Sequence, residues 1–581
     1  DMIRQIEPIV KSHPNVIYLA GHEHTMQLIQ DSGYNYIVSG SGSKSNRVSK
    51  TKKTLFATPK TGFATLQISK NKNVKAVFYG VEGEKIDELY SKDILNFTTI
   101  PVVLTEKDTM REVEYVFKDS VVISATDQYK KEKKFSQLFM GNNYRKEWST
   151  PIALKMFNLR KEQGGFKIIS LGGGKQTKSL KLEDKNGKEW TLRTVEKDPE
   201  KALPQNLRGT LAQDVVEDMI SASDPYSPLI VPTLAKALRV PAAQPRYFFV
   251  PDDPALGKYR VYFANRVVTL EDRNPVPDND TKSTSKILNK LYEENDHQVD
   301  QPKVLTARLL DMLIGDFDRH ADQWKWGTED TGIGKLYYPV PRDRDQAFFK
   351  SDGLLVKMLS KNKMRFLQGF KKNIKDINGA NFVARDFDRS FLNKLDEKQW
   401  KEITDSFTYK MNDRLIDEAT SKYPRELRPS ISKNAAATLK SRRDDLAKES
   451  MKYYKFISRE VNITGSNQDE YFHITNDSGF LKLNVYKKKA KSDTSLLLYS
   501  RSFDPKVTKE LRLYALNGDD KVEIDADVSS PIQLRIIGGK GDDTFNLKGN
   551  VRNHLYDLTQ EKNVFLSTNS SHNKMSGKVE V

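Results

Sequence analysis

The sequence predicts a multidomain α+β protein, in which a β-sandwich segment is followed by a two-lobed α+β domain and then by a second β-rich domain. Three observations carry that prediction. Residues 1–100 hold short apolar or alternating runs bounded by turn residues, the pattern of packed strands. Between 151 and 461, strands around a glycine triplet give way after Asp280 to helical periods. From 462 to 581 the alternation returns, interrupted by Gly-Asp turns. A length of 581 residues with 37% hydrophobic content allows each part its own core. The stretch 101–150 reads as a connecting β-segment.

In the first part, residues 16–20 form a continuous apolar run that fits a buried strand ending at Gly21-His22-Glu23-His24. Residues 36–40 read as another strand, and 63–68 with 74–81 alternate around Lys70-Asn71-Lys72-Asn73 as a hairpin. The central part is expected to open with a helix from Pro151. Gly172-Gly173-Gly174 then lies between strands 166–171 and 179–182, and Asp184-Lys185-Asn186-Gly187 turns the chain into strand 190–195. Residues 211–220 are helical in period, strands are expected at 247–250 and 259–263, and helices at 303–314 and through 397–446. A β-rich lobe ahead of a helical lobe is the order of a kinase-like fold. In the last part, strands are expected at 480–486 and 511–516. Gly538-Gly539-Lys540-Gly541-Asp542-Asp543-Thr544-Phe545 carries a full Gly-Gly-x-Gly-x-Asp turn, and Gly518-Asp519-Asp520 is a partial copy whose distance reads as too great for tandem turns.

Composition excludes several function classes. There is no cysteine, so disulfides and thiolate metal sites are absent, and any metal is held by imidazole, carboxylate, amide or backbone oxygen. The net charge of +17 comes from 95 Lys and Arg interspersed with 78 Asp and Glu, and without a nucleic-acid motif no specific nucleic-acid partner is expected. No run of about eighteen apolar residues suggests a membrane-spanning helix. The opening Asp1-Met2-Ile3-Arg4-Gln5-Ile6 is amphipathic and runs straight into a strand, so the first part is expected to be the C-terminal piece of a domain.

The densest chemical signal is Gly315-Asp316-Phe317-Asp318-Arg319-His320-Ala321-Asp322-Gln323, followed by Pro341-Arg342-Asp343-Arg344-Asp345. Phosphoryl transfer needs a carboxylate beside the accepting hydroxyl, with an amide and a second carboxylate on the metal ions that bridge the nucleotide phosphates. Asp318 suits the first role. Gln323, four residues farther along, occupies the amide place, and Asp343 with Asp345 the metal-binding one. Gly172, Gly173 and Gly174 offer main-chain N–H groups to phosphates, while Arg193 or Lys197 takes the strand-cation role, paired with Glu217 or Asp214 on the following helix. In Gly21-His22-Glu23-His24, alternate side chains after a strand end direct His22 and His24 at the same ions, whereas His13 reads as a surface residue. Asp520 and Asp543, with Asp519 and Asp542, offer carboxylates to calcium, the alternative being metal-free turns.

Gly-His-x-His resembles the last metal-binding block of calcineurin-like metallophosphoesterases. The resemblance implies a dinuclear divalent-metal centre acting on a phosphorylated substrate, with His22 and His24 as two ligands and the others upstream of Asp1. Asp318-Arg319-His320 resembles the catalytic loop of the CotH spore-coat kinases, the Golgi casein kinase and HipA-type kinases, and Asp343-Arg344-Asp345 the Asp-x-Asp element of the CotH group. That likeness implies Mg-ATP, although Gln323 stands where those families carry Asn. The order of modules resembles envelope proteins of Bacteroidetes-type bacteria, in which a phosphoesterase is joined to a surface-antigen type outer-membrane β-barrel. It implies a bacterial cell-envelope location, periplasmic or outer-membrane associated, with membrane association through a barrel outside these residues. Three functions follow as expectations: an envelope metallophosphoesterase whose metal set is incomplete in this stretch, an Mg-ATP-dependent kinase or nucleotidyl transferase, and a non-catalytic pseudokinase scaffold. The geometric expectation is that Asp318, Gln323 and Asp343 converge in one cleft between the two lobes.

Overall fold

A computed structural model describes residues 16–21, 23–42, 45–69, 73–96, 117–129, 141–173, 177–197, 219–350, 352–353, 357, 360–361, 364–489, 492–568 and 571–576. The chain divides into two compact units, Asp1–Val113 and Glu114–Val581. It is a multidomain mixed α/β architecture, and no sheet closes into a barrel among the described residues.

The first unit is a two-sheet sandwich. One sheet orders Ile17–Ala20, Tyr34–Ser39, Met26–Asp31 and Thr54–Thr58, and the other is the meander Gly62–Ile68, Asn73–Glu82 and Lys85–Asn96. Period-two alternation puts Met26, Leu28 and Ile37 of one sheet against Val74, Ala76, Phe78 and Ile94 of the other. The run at 16–20 is not a fully buried strand. It lies at the sheet edge, paired only with Tyr34–Ser39, and Leu19 is 58% exposed.

The second unit begins with a seven-stranded sheet ordered Phe166–Gly172, Ser179–Asp184, Glu189–Thr194, Arg266–Asp272, Arg246–Val250, Ile152–Met156 and Ser120–Ile123. Its first five strands are antiparallel. The helix expected from Pro151 is instead the strand Ile152–Met156. Ile152, Leu154 and Met156 are buried while Ala153 and Lys155 face outward, a period of two that the apolar content had masked. The strand expected at 259–263 is the helix Arg260–Phe263, in which only Phe263 is buried.

Beyond this sheet the chain is mainly helical. Gln301–Ile314 starts at Asp300, whose side chain accepts from Lys303 N, has Pro302 in its first turn, and ends at Gly315 with φ 71°. It is apolar on nearly all sides and lies in the core with Trp324, Trp400 and Tyr453. The hairpin Trp324–Asp330 and Lys335–Pro341 follows, then Glu397–Lys410 behind an Asp396/Gln399 capping box, Asp413–Thr420 and Arg428–Ile457. Among the described residues no helix is long and apolar enough to cross a membrane.

The last part is a parallel two-sheet solenoid. Glu460–Thr464, Glu510–Asn517, Ser529–Lys540, Asn550–Leu558 and Ser571–Ser576 stack as one sheet. Glu470–Asp477, Lys521–Ile524, Thr544–Leu547 and Val564–Thr568 stack as the other. The reading that the two Gly-Asp turns lie too far apart to be tandem is corrected here. Their offset of 23 residues is one complete rung of two strands and two corners, so the turns are direct neighbours. Gly541 (φ 139°) is required at this corner, because a Cβ would stand 1.9 Å from the carbonyl oxygen of Gly518 on the next rung.

Candidate active site

The Gln301–Ile314 helix and the strand Lys335–Pro341 each end in a polar loop, and one buried carboxylate ties the two loops together. Asp311 accepts from Arg308 (3.0 Å) on its own helix, from Arg319 (3.2 Å) in the first loop and from Arg344 (2.8 Å) in the second. Arg319 also donates to the carbonyls of Arg342 (2.6 Å) and Gln323 (3.2 Å), and Arg342 N to that of Gln323 (2.8 Å). Arg308 continues inward to Asp388 (2.8 Å), which takes a further bond from Tyr453 (2.7 Å). Burial works against the Asp311 anion, yet the three guanidiniums hold its carboxyl below the usual range.

These loops face the β-rich lobe across a cleft of about 580 Å³, a volume ordinary for small-ligand sites. Asp318, Gln323, Asp343 and Asp345 line one side, and Arg193 and Lys197 the other. Lys197 Nζ meets Asp345 Oδ2 at 2.5 Å, and Arg193 Nη1 stands 3.8 Å from Asp343 Oδ2. Asp343 has φ 51°, a left-handed conformation that costs an Asp of order 1 kcal/mol and turns its exposed carboxylate toward the cleft wall. Against a desolvation that raises it, the Lys197 ammonium holds the Asp345 carboxyl below the usual range. Asp318 is raised, by desolvation first and then by Asp345 and Asp343, with His320 opposing. His320 Nδ1 accepts from Asp322 N (3.3 Å), which leaves Nε2 to carry the hydrogen, 3.9 Å from Asp318.

The geometric expectation holds for position: Asp318, Gln323 and Asp343 line one cleft, and Arg193, Lys197 and Asp345 join them. Gly172 and Gly173 sit in the hairpin between the first two strands of the sheet, and that hairpin contributes Thr177 to the cleft. Gly173 (φ 117°) admits no side chain, since a Cβ would lie 2.3 Å from Thr177 O. Gly174, Asp214, Glu217, His13 and His22 lie outside the described residues. His24 is half-buried, and its carbonyl accepts from Asn46 N (2.7 Å). Asp520 and Asp543 belong to the solenoid and not to the cleft.

Reading the sequence missed Asp311, Arg344 and the cleft residues Asp224 and Gln346. The available signal was a charged i, i+3 pair, Arg308 and Asp311, inside an otherwise apolar helix, which is tolerated only when neutralised within the core. Asp224, buried and pushed up to about 6 by desolvation, accepts from Tyr423 at 2.5 Å and from Tyr226 N.

The cleft's donors suit a magnesium nucleotide. Two carboxylates and an amide oxygen are hard ligands of the kind magnesium takes, and the cations opposite match phosphate. Among the described residues no group of three or more His, Cys, Asp or Glu side chains stands ready as a metal centre.

No protein-family model and no curated protein matches the chain. Among solved structures it is similar to "GAP50 the anchor in the inner membrane complex of Plasmodium", at 25% identity and TM-score 0.16, over 17% of this chain and 31% of that one. The chain thus spans about a third of that protein. It is also similar to the Helicobacter pylori proinflammatory kinase CtkA, at 11% identity and TM-score 0.27, over 49% of this chain and 92% of the kinase. A third likeness is to the Golgi casein kinase, at 11% identity and TM-score 0.26, over 59% and 85% of the two chains.

Proposed function

We propose that the cleft binds Mg-ATP and transfers a phosphoryl or nucleotidyl group to a hydroxyl acceptor, the new P–O bond replacing the β–γ or α–β phosphoanhydride bond and ADP or pyrophosphate leaving. The observation that carries this reading is the meeting, in one cleft, of the carboxylates and amide of two loops with two cations from the β-rich lobe. Asp343, Asp345 and Gln323 hold magnesium, which when bound neutralises charge on the phosphates. Lys197 and Arg193 bind phosphate oxygens, and Lys197 Nζ stands 2.5 Å from Asp345 Oδ2. Asp318 takes the proton of the acceptor hydroxyl, a role its raised pKa suits. His320 orients it through Nε2, and Asp311 fixes both loops. The test is thermal stabilisation by Mg-ATP followed by label transfer from γ- and α-labelled ATP. Stabilisation with transfer supports catalysis, stabilisation alone identifies a pseudokinase, and neither overturns the reading.

For the first unit, Gly21-His22-Glu23-His24 supports a second proposal, a metal-dependent phosphoesterase module of a bacterial envelope protein. Metal-dependent hydrolysis of a generic phosphoester by the full-length protein, lost in His22→Ala and His24→Ala, is its test.

A further inference from the structure

A second cavity, of about 490 Å³, lies against the loop that carries Asp318. Gly315 and Phe317 line it, and Asp318, next in the chain, lines the cleft. The cavity holds a buried cation. Arg442 is 5% exposed, and its guanidinium donates to the carbonyls of Met312 (2.6 Å), Leu313 (2.7 Å) and Lys371 (3.1 Å), closing the end of the Gln301–Ile314 helix. An arginine has five N–H groups, so two are left over. Desolvation pushes Arg442 down to about 10, with Asp445 alone opposing, and no carboxylate reaches ion-pair distance of it among the described residues.

The cations around Arg442 crowd one another. Lys371, whose carbonyl it holds, is half-buried, and its ammonium is pushed below the ordinary value by desolvation first and then by Lys357 and Lys375, with Asp352 opposing. Lys357, Lys361 and Lys375 line the same cavity, and none of the four lysines forms an ion pair among the described residues. The acids of the lining do not answer this charge. Asp376 pairs with Arg365, Asp311 is held by its three arginines, and Asp316 is buried and pushed up to about 7 by desolvation.

We propose that this cavity binds a small phosphate monoester, held by Lys371, Lys375 and Arg442, with the exposed Lys357 and Lys361 adding charge. A phosphate monoester carries close to two negative charges at neutral pH and three strong acceptor oxygens, which matches several ammoniums and a guanidinium better than a single carboxylate does. A cavity of this volume accommodates a small molecule. Binding here requires neither Mg-ATP nor group transfer. Because Arg442 holds the last carbonyls of the helix that leads into Gly315, an anion drawn to it bears on the loop that presents Asp318.

The experiment is equilibrium dialysis of the full chain against labelled glycerol 3-phosphate and labelled glycerol, up to about 10 mM in magnesium-free buffer, a range that reaches weak binders. The ester binds and glycerol does not. Affinity for the ester falls about tenfold or more in Lys371→Ala/Lys375→Ala. It stays within about twofold in Lys372→Ala/Lys433→Ala, which removes the same charge from exposed positions off the cavity, and in Lys197→Ala, which alters the cleft. Circular dichroism checks that the variants are folded, and Lys375→Glu, at an exposed position, gives the same loss by charge reversal. Dialysis that finds no ester on the unmodified chain overturns the site, as does equal loss in the two double variants, which would mean general attraction to a basic surface. Loss in Lys197→Ala would put the phosphate in the cleft and overturn it too. A glutamate tetrapeptide that displaces the ester at equal concentration would make the ligand an acidic peptide and overturn the phosphate assignment.

Discussion

The cleft and the solenoid corner both gather aspartates, and they neutralise them in opposite ways. At the cleft two carboxylates are matched by cations, Asp311 beneath it by three arginines and the half-buried Asp345 by Lys197, while the buried Asp224 is held by Tyr423 and Tyr226 N. In the corner, Asp520 and Asp543 face other carboxylates, and burial followed by that repulsion pushes them up to about 10 and about 8. The difference teaches what each can exchange. Opposed charges in an open cleft can re-pair with a phosphate and its metal, while acids crowded in a closed corner must take up protons or a cation.

The largest expected effect breaks the comparison on the cleft side. Asp318→Ala lowers group transfer by about 10³-fold while the affinity for Mg-ATP changes little, because its role is at the acceptor. Asp343→Ala loses nucleotide affinity instead. Steady-state kinetics beside calorimetric titration separate the two, and equal loss of binding in both variants would sink the assignment. Next comes Asp311→Ala, which strands buried arginines and destabilises the second unit by about 3–5 kcal/mol in chemical denaturation.

How much of this was legible follows from what each feature needs. Asp318, Gln323, Asp343 and Asp345 were readable as a set because carboxylates and an amide recur at short spacing on two neighbouring loops, and the fold brings all four to one cleft. The clamp beneath them was not, since Asp311 meets Arg344 across 33 residues and Arg308 meets Asp388 across 80, separations that only the fold closes. Residues 152–156 were misread because five residues hold too little of either period to separate helix from strand. The rungs were misread for the converse reason. Their repeat of 23 residues contains two strands, so copies distant in sequence are adjacent in space. Lys197 and Arg193 were left as alternatives, and both reach the cleft because one lies on the third strand and the other just beyond it.

A smaller effect probes the corner's backbone. Gly541→Ala forces a side chain onto the Gly518 carbonyl at a φ of 139°, at a cost of about 1–3 kcal/mol, and lowers the melting temperature of the solenoid with the nucleotide response unchanged. An unaltered melting temperature would mean that the two turns are not stacked.

The mildest test sharpens the contrast by pH. Asp345 has a lowered folded-state pKa, so its contribution is present above the ordinary value of 3.8 and is lost as pH falls through the folded value. Asp543 and Asp520 are raised, so their contributions are full below 3.8 and fade as pH rises toward about 8 and about 10. The groups facing Asp543 are Asp557, Glu561 and Asp519, and those facing Asp520 are Glu470, Asp543 and Asp469, all acids that steepen the trend. In EDTA the solenoid is therefore expected to melt at lower temperature as pH rises from 5 to 8, whereas the Lys197–Asp345 contact loosens only in acid. Asp520→Asn flattens the slope, because an amide has no proton to lose. Identical pH profiles for the two regions, followed by tryptophan fluorescence for the lobes and by hydrogen exchange for the rungs, would show that the corner is neutralised by a cation already bound or by protein groups, and the opposition between the two sites would fall.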